Sequence, residues 1–304
     1  CACLVGSEMC IRDRNEVDIP LLIGVDEEGG TVVRVSSNPN LRETPFLSPK
    51  DTYADGGWDA VKQDAEEKAD LLLSLGINVN LAPVCDMTSD EYGFMYDRSF
   101  SSDVDMENRY VRTVVETSKS KKLGTVLKHF PGYGNNSDTH TGIAYDDRDY
   151  SKFENTDFKP FYQGIESGAD CILVSHNIVN CMDSEYPASL SQKVHDILRN
   201  EFKFDGVIMT DDLIMNAITD FTGDEAAAVT AAKCGNDLLC CSSVDTQYPA
   251  VLEAVQNGEI SEAQVDASVK RILKWKQNLG IFNIDTYQKK VKSTEPTDTV
   301  GSEE

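Results

Sequence analysis

The stretch GVIMTDDLIM, residues 206–215, is the part of the sequence that decides the fold. An apolar run from Gly206 to Thr210 ends abruptly in two carboxylates, Asp211 and Asp212. A run that is apolar at successive positions is typical of a parallel strand that is buried on both faces. The pattern therefore predicts a strand that delivers acidic side chains to its C-terminal end.

The same kind of run recurs along the chain and alternates with helical periodicity. The helical stretches carry apolar side chains three and four residues apart, and several are followed by a glycine. Regular alternation of strands and helices predicts an α/β fold with a parallel sheet. The predicted strands are 19–25, 77–84, 125–130, 171–176, 206–210 and 237–241, and the predicted helices are 58–75, 106–122, 191–202, 225–233 and 261–279.

Polar residues at the strand ends distinguish an open sheet from a closed barrel. A barrel collects the C-terminal ends of its strands around one mouth, whereas an open sheet spreads them along an edge. The chain has neither GxGxxG nor GxxxxGK[ST], so a nucleotide-binding sheet has no support. We therefore expect a (β/α)8 TIM barrel. The polar residues at its mouth would be Asp26, Asp86, Lys128, His129, His176, Asp211 and Asp212.

The two ends of the chain differ in character from its middle. Residues 1–14, CACLVGSEMCIRDR, have no periodicity that continues into the first predicted strand, and we interpret them as a non-native or disordered leader. On that interpretation the barrel lacks its first β/α unit. We expect one barrel domain over residues 15–285 and a disordered polar tail over residues 286–304.

Composition excludes several classes of partner. The formal net charge is −24, which disfavours nucleic acid and anionic membrane surfaces. No apolar run is long enough to span a membrane. The nine cysteines show no CxxC or zinc-type spacing, and we expect Cys171, Cys240 and Cys241 to be buried free thiols. No metal or cofactor is expected, and both a cytoplasmic and an exported location stay open.

Three of the four histidines, His129, His140 and His176, lie at or just after predicted strand ends, whereas His195 is expected to pack within a helix. The loop KHFPGYGNNSDTHTG, residues 128–142, places Asp138 two residues before His140. A carboxylate that accepts one imidazole N–H raises the basicity of the other ring nitrogen, which suits general acid/base catalysis. By itself, the Asp-x-His pattern also occurs on many surface loops.

The adjacent carboxylates Asp211 and Asp212 would repel each other if both were buried without partners. We therefore expect one to face a pocket and the other to be structural. A carboxylate at such a strand end suits nucleophilic attack on an anomeric carbon. The alternative is a helix N-cap, above all for Asp212.

Six segments together resemble glycoside hydrolase family 3. They are LLIGVDEEGGTVVRV, NLAPVCD, DRSF, KHFPGYG…DTH, LVSH and GVIMTDDLIM, and they occur in the order found in that family. The KHFPG…D-x-H loop resembles its β-N-acetylglucosaminidase branch in particular. The resemblance covers roughly residues 17–282.

The resemblance implies a retaining hydrolase that removes terminal non-reducing β-linked N-acetylglucosamine from peptidoglycan fragments or chitooligosaccharides. It implies a covalent glycosyl–aspartate intermediate on Asp211, with His140 as acid/base and Asp138 as its partner. The implied sugar-binding residues are Asp26, Arg98, Lys128 and His129, with His176 and Met215 lining the pocket. We expect a monomer acting on a small carbohydrate.

Some positions depart from the family pattern or have a structural role. Tyr133 replaces a second histidine that the family loop often carries, and the loop is one residue shorter than in many relatives. Arg34 is expected to pair with Glu27 or Glu28, and Asp86 to bond loop amides.

Three other functions stay open. Phosphate in place of water would make the protein a phosphorylase, which activity with and without phosphate distinguishes. A metal-dependent amidohydrolase-like barrel could use His129, His176 and Asp211, and a chelator would then inhibit it. A catalytically inactive sugar-binding barrel is disfavoured by the presence of both Asp211 and His140.

Overall fold

The computed structural model describes residues 17–136, 139, 142–222 and 224–288. Nine strands occur in this part of the chain. They are β1 (Gly24–Val25), β2 (Glu27–Gly29), β3 (Val32–Val33), β4 (Val79–Asn80), β5 (Gly124–Phe130), β6 (Tyr145–Asp146), β7 (Cys171–Val174), β8 (Ile178–Val179) and β9 (Val207–Thr210).

The main sheet has the strand order β1–β4–β5–β7–β9, and all its neighbouring pairs are parallel. Two short ladders flank it, antiparallel β2–β3 and parallel β6–β8. The predicted strand 237–241 is reduced to one bridge, between Leu238 and Met209. The α/β prediction is therefore confirmed. Within the described ranges, the main sheet consists of five parallel strands, and the Leu238 bridge extends it past β9. These strands do not close into an eight-stranded ring.

Helices connect the parallel strands. They are α1 (Pro49–Ser74), α2 (Val104–Ser120), α3 (Tyr150–Asn155), α4 (Phe158–Glu166), α5 (Gln192–Asp196), α6 (Asn216–Thr219), α7 (Asp224–Lys233), α8 (Val244–Gln256) and α9 (Glu262–Asn278), with a 3₁₀ turn at Ala188–Leu190 and a π-helical turn at Ile197–Glu201. No described helix is both long and apolar enough to cross a bilayer.

Local side chains set several helix ends where the sequence predicts them. The Ser191 and Ser261 hydroxyls accept hydrogen bonds from the Val194 and Gln264 amides at the starts of α5 and α9. Gly57 has a φ of 64° and interrupts α1, so that the predicted helix from residue 58 begins just after it. The predicted boundaries of these helices are thus close to the observed ones.

Four helices were not predicted from the apolar pattern, namely α3, α4, α6 and α8. Pro160 lies in the first turn of α4, where a missing N–H breaks no helical hydrogen bond. Pro249 lies inside α8. Prolines at these positions hide the helical periodicity in the sequence.

Successive residues of each central strand point into two different cores, which explains why the strands are continuously apolar. One cluster, with Leu127, Ile172 and Ile208, lies between the sheet and the helices. Residues next to them in sequence, such as Val126 and Leu173, lie in a second cluster on the opposite face. Trp275 and Leu279, at the C-terminal end of α9, pack into that second cluster.

The predicted leader, residues 1–14, lies outside the described residues, as do residues 289–304 of the predicted tail. Residues 284–288 are helical, and the Tyr287 ring contacts Phe282 with centroids 5.8 Å apart. The folded part of the chain therefore extends at least to residue 288.

Gly164 of α4 lies against β5, and substituting it tests how tightly that helix packs. A Cβ at position 164 would lie 2.5 Å from Cδ1 of Leu127, a side chain with no exposed surface. Helix propensity alone would make Gly164→Ala stabilising by about 1 kcal/mol. We expect overpacking to dominate and the free energy of unfolding to fall by about 1–3 kcal/mol in urea titrations.

The exposed Glu166→Ala substitution in the same helix is the control, and we expect it to change stability by less than about 0.5 kcal/mol. A Gly164→Ala protein as stable as the wild type would show that α4 does not press on the sheet.

Candidate active site

A cavity of about 1160 Å³ opens at the C-terminal ends of the parallel strands. Because these strands run in the same direction, polar side chains that follow different strands in the sequence meet at this edge. Six of the residues predicted for the site line the cavity: Asp26, Arg98, Lys128, His129, Asp211 and Met215.

A buried cluster of charges forms one wall of the cavity. The Arg98 guanidinium donates two hydrogen bonds to the Glu28 carboxylate, with N–O distances of 2.9 and 2.7 Å. The Lys128 ammonium lies 2.6 Å from Glu28 Oε1 and 2.5 Å from Asp26 Oδ1. Glu28 therefore holds the two cations side by side, and Lys128 also holds Asp26.

The cluster depends on a tight turn after β1. Glu27, the first residue of β2, accepts the backbone amides of Arg34, Val35 and Ser36, which folds the chain back on itself. Gly29 has a φ of 105°, and a Cβ there would lie 2.1 Å from the Leu47 carbonyl oxygen. Only glycine fits this position, which fixes the direction in which the preceding Glu28 points.

Glu28 is ionised because of its neighbours. Burial acts to raise the pKa of this carboxyl group, but the charges and hydrogen bonds of Lys128 and Arg98 more than offset burial and lower the pKa to about 2. For both cations, burial acts to lower the pKa and Glu28 acts to raise it, with a net upward shift. The cluster thus keeps its charges at neutral pH.

A second buried carboxylate, Asp86, fixes the start of the long loop after β5. It accepts a 2.7 Å bond from His129 Nδ1 and the backbone amides of His129 and Tyr133. Burial acts to raise the pKa of Asp86, whereas His129 and these bonds lower it below its usual value. His129 Nε2 then lies 3.2 Å from Arg98 Nη2. The prediction that Asp86 bonds loop amides is confirmed.

Asp211 immediately follows β9 and is held by its backbone. Its N–H donates to the Val174 carbonyl at 3.2 Å, and its Oδ1 accepts the Asp212 amide at 2.9 Å. The side chain is partly exposed and lines the cavity. A rigid strand end thus carries a carboxylate that a molecule in the cavity can reach.

The environment of Asp211 favours the carboxylate form. Burial acts to raise its pKa, whereas the electrostatic influence of His176 and His129 acts to lower it. The Asp212 amide and the Lys128 ammonium act in the same direction as the histidines, and the pKa lies below its ordinary value. Asp211 is therefore ionised at neutral pH.

Asp212 also lines the cavity, but it has fixed partners. Its carboxylate accepts a hydrogen bond from the Ser242 hydroxyl and the backbone amides of Ile214 and Ser242. It is not the N-cap of the next helix, α6, whose N-cap residue is Met215. Asp212 thus ties the β9 end to the segment after the Leu238 bridge.

Two expectations about the cavity wall are corrected. His176 does not line the cavity, because its side chain is fully buried behind the strand end, with Nδ1 2.7 Å from Ser189 Oγ and Nε2 3.0 Å from the Asp212 carbonyl. Cys171 is buried as predicted, but Cys240 and Cys241 are half-buried and line the cavity. The predicted strand that contains these two cysteines pairs with β9 only at Leu238, and the cysteines are therefore covered only in part.

A family model described as the glycosyl hydrolase family 3 N-terminal domain matches residues 7–275. The chain belongs to glycosyl hydrolase family 3.

Individual relatives agree with this assignment. The chain is 32% identical over 252 residues to a beta-hexosaminidase of Hydrogenovibrio crunogenus, and the match covers 81% of this chain and 70% of that protein. A family 3 β-N-acetylglucosaminidase structure from Paenibacillus superimposes with a TM-score of 0.80 at 31% identity, covering 86% of this chain and 51% of that one. A family 3 structure from Mycobacterium smegmatis gives a TM-score of 0.77 at 29% identity, with coverages of 87% and 82%.

Asp138 and His140, the predicted acid/base pair of this family 3 chain, lie outside the described residues. Thr139, which separates them in the sequence, is described and fully buried. Its Oγ1 lies 2.5 Å from the Tyr133 hydroxyl, and its carbonyl accepts the Ala217 amide at 3.4 Å. Tyr133 lines the cavity, so one residue of this loop is bonded directly to the cavity wall.

The sequence did not reveal the part played by Glu28. The expected ion pair between Arg34 and Glu27 or Glu28 is not formed within the described ranges, since Glu27 takes the Arg34 backbone amide and Glu28 takes Arg98 and Lys128. The signal was present in the run of three acids in VDEEGG, but a strand pattern does not show which of them points at a cation.

In the described part of this family 3 chain, no group of three or more His, Cys, Asp or Glu side chains could hold a metal ion.

Replacing Glu28 tests whether the cluster is the structural base of the site. Glu28→Gln leaves the Arg98 and Lys128 charges buried without their carboxylate, and we expect the free energy of unfolding at neutral pH to fall by about 3–5 kcal/mol. Because the folded-state pKa lies below the usual 4.5, the stabilisation from Glu28 is complete above that pH and is lost as the pH falls towards about 2. Urea titrations across this range measure both effects.

Glu66→Gln is the matched control, because Glu66 forms only a 3.7 Å surface pair with Lys62 and should change stability by less than about 1 kcal/mol. If Glu28→Gln and the control lost equal stability with the same pH dependence, the cluster would not support the fold.

Proposed function

We propose that this protein is a retaining β-N-acetylglucosaminidase that removes terminal non-reducing residues with Asp211 as its nucleophile. The observation that carries the proposal is that Asp211, ionised and partly exposed, lines the same cavity as Arg98 and Lys128. A retaining glycosidase needs a carboxylate that attacks the anomeric carbon of a sugar held in a fixed orientation.

The charged wall suits recognition of sugar hydroxyls. Lys128 has almost no exposed surface and is fixed by Glu28, while the Asp26 side chain on the same ammonium is 35% exposed. Asp26 thus offers an acceptor and Arg98 a donor to the cavity beside the His129 ring, and charge-assisted hydrogen bonds from such charged groups can hold neighbouring hydroxyls. We assign sugar binding to these residues together with Lys128. Met215, which lines the cavity, contributes apolar contact. His176 stabilises the end of β9 through its hydrogen bond with the Asp212 carbonyl.

His140 is the proposed acid/base, and Asp138 its partner. The support is the Asp-x-His pattern together with the bond between Thr139 and Tyr133 at the cavity wall. In the first step an Asp211 oxygen bonds to the anomeric carbon, the glycosidic bond breaks, and the leaving oxygen takes the His140 proton. In the second step His140 takes a proton from water, the water oxygen bonds to the anomeric carbon, and Asp211 leaves.

We propose that the described parallel strands, which do not themselves close into a ring, form part of a (β/α)8-type barrel. Two observations support it: both faces of the strands are buried in separate cores, and the sheet continues past β9 through the Leu238 bridge. The site then lies at the barrel mouth, where barrel enzymes carry their catalytic residues.

The names of two relatives support the proposed substrate class. Two of them are named as a beta-hexosaminidase and a β-N-acetylglucosaminidase. We propose β-linked N-acetylglucosaminides of small saccharides, such as peptidoglycan fragments or chitooligosaccharides, as substrates. Release of p-nitrophenol from its β-N-acetylglucosaminide, compared with its β-glucoside, tests the sugar. Adding phosphate separates a hydrolase from a phosphorylase, since only a phosphorylase would form the sugar phosphate.

Removing the nucleophile should abolish turnover of β-N-acetylglucosaminides. We expect Asp211→Ala to lose at least about 10⁴-fold in kcat, because no covalent intermediate can form. Added azide should restore part of the activity by bonding to the anomeric carbon from the vacated side, which gives the α-glycosyl azide. Asp212→Asn is the comparison, and we expect a much smaller loss, since Asp212 is occupied by Ser242 and loop amides. Equal losses in both variants without azide rescue would contradict the assignment of Asp211.

Removing His140 should slow the reaction according to the leaving group. We expect His140→Ala to reduce kcat/KM by about 10²–10⁴-fold for an unactivated glycoside. An activated aryl leaving group needs little protonation and should lose much less. If a phenyl and a 2,4-dinitrophenyl N-acetylglucosaminide lost the same factor, His140 would not be the acid.

A further inference from the structure

Arg148 lies at the base of the loop that carries Asp138 and His140. Its guanidinium donates in three directions: to the Asp146 carboxylate at 3.0 and 2.8 Å, to Asp157 Oδ1 at 2.8 Å and to the Gly132 carbonyl at 3.0 Å. The two carboxylates are almost completely buried, and the Arg148 side chain is 25% exposed.

The groups that accept these bonds belong to both ends of the loop. Gly132 follows β5 by two residues and begins the loop, whereas Asp146 ends β6 and follows the loop. One guanidinium therefore joins two points of the chain that are fourteen residues apart in sequence. Asp138 and His140 lie between them.

Each end of the loop is also attached to the framework of the protein. At the first end, the Gly132 amide donates to the His129 carbonyl at 2.8 Å. At the second end, the Ala144 carbonyl accepts the Ile178 amide at 2.8 Å, next to the β6–β8 ladder. Arg148 is thus the link between a part fixed to β5 and a part fixed to β8.

The backbone fits closely on this link. A Cβ on Gly132 would lie 2.6 Å from Asp157 Oδ1, and one on Gly134 would lie 2.6 Å from Arg148 Nη1. Both glycines have positive φ, 119° and 54°. The first turn of the loop therefore packs directly against Asp157 and the Arg148 guanidinium.

We propose that Arg148 is a positioning residue that sets the reach of the acid/base loop by joining its two ends. This inference rests on the proposed function of His140. Arg148 lines no part of the catalytic cavity and acts through Gly132 and Asp146. Asp211 is carried by β9 and is independent of this link. Loss of Arg148 should therefore impair proton transfer and leave nucleophilic attack intact.

The test compares Arg148→Gln, Arg148→Lys and a matched control, Arg199→Gln. Arg199 has a similar set of partners, the buried Asp237 carboxylate at 2.6 Å and the Phe204 and Gly206 carbonyls at 2.8 and 2.7 Å. These partners lie at the N-terminal end of β9, opposite Asp211. Both glutamine variants lose a buried ion pair, but only one of the pairs joins the ends of the loop.

The main measurement is kcat/KM on phenyl and 2,4-dinitrophenyl N-acetylglucosaminides. It is made below the unfolding temperature of every variant. We expect Arg148→Gln to lose about 10²-fold in kcat/KM on the phenyl substrate and less than about 10-fold on the activated one. Arg148→Lys keeps the positive charge but loses the several N–H donors of the planar guanidinium. Its kcat/KM should lie between those of Arg148→Gln and the wild type. Arg199→Gln should lower stability and keep the wild-type ratio of the two substrates. A wild-type ratio in Arg148→Gln overturns the inference.

Amide hydrogen exchange measures the link between the loop ends without requiring enzymatic activity. It therefore distinguishes failure of the Arg148 inference from failure of the proposed function. If Arg148 joins the ends of the loop, Arg148→Gln should increase exchange at residues 132–136 and 142–146 by at least about tenfold, and Arg199→Gln should not. Unchanged exchange at these residues overturns the positioning role even if the enzyme is active. If the wild-type protein cleaved neither substrate while Arg148→Gln still increased exchange, the link would stand and the proposed β-N-acetylglucosaminidase function would be refuted.

Discussion

The candidate site depends on one buried carboxylate, Glu28, held between two cations. Without it, Arg98 would lose its buried carboxylate partner and Lys128 would keep only Asp26, so that two like charges would lie side by side in a poorly solvated wall. With it, Lys128 is fixed strongly enough to hold Asp26 at the cavity surface. The geometry of these cavity-facing groups therefore depends on a residue that is itself almost fully buried.

The acidic side chains at this end of the sheet differ in their hydrogen-bond and ion-pair partners. Glu28 and Asp86 are satisfied by cations and backbone amides, and Asp212 by Ser242. Within the described ranges, the Asp211 carboxylate accepts one hydrogen bond, from its neighbour's amide, and it is kept ionised by positive charge nearby. An acidic protein with a net charge of −24 can in this way place two buried cations, Arg98 and Lys128, in the same cavity as the Asp211 carboxylate. The division of roles comes from hydrogen bonding, since the residue types are nearly the same.

Much of this arrangement could be predicted from the sequence, because parallel strands buried on both faces leave continuous apolar runs, and their polar ends must meet at one edge. The positions of Asp26, Lys128 and Asp211 follow from that rule. The partner of each charge does not follow, since it depends on turns such as Gly29 and on side-chain direction. The burial of His176 and the partial exposure of Cys240 were missed for a related reason, because a strand pattern does not tell how completely the neighbouring chain covers each position.

The most direct test of the proposed function is whether Asp211 bonds covalently to a sugar held in the cavity with Arg98 and Lys128. A slow substrate, an N-acetylglucosaminyl fluoride that carries a second fluorine at C5, should trap this intermediate for peptide mass spectrometry. We expect one added N-acetyl-fluoroglucosaminyl group, located on Asp211, and no labelling of the Asp211→Ala protein. A label on any other carboxylate, or rapid turnover of the fluoride with no labelled peptide at any time, would contradict it.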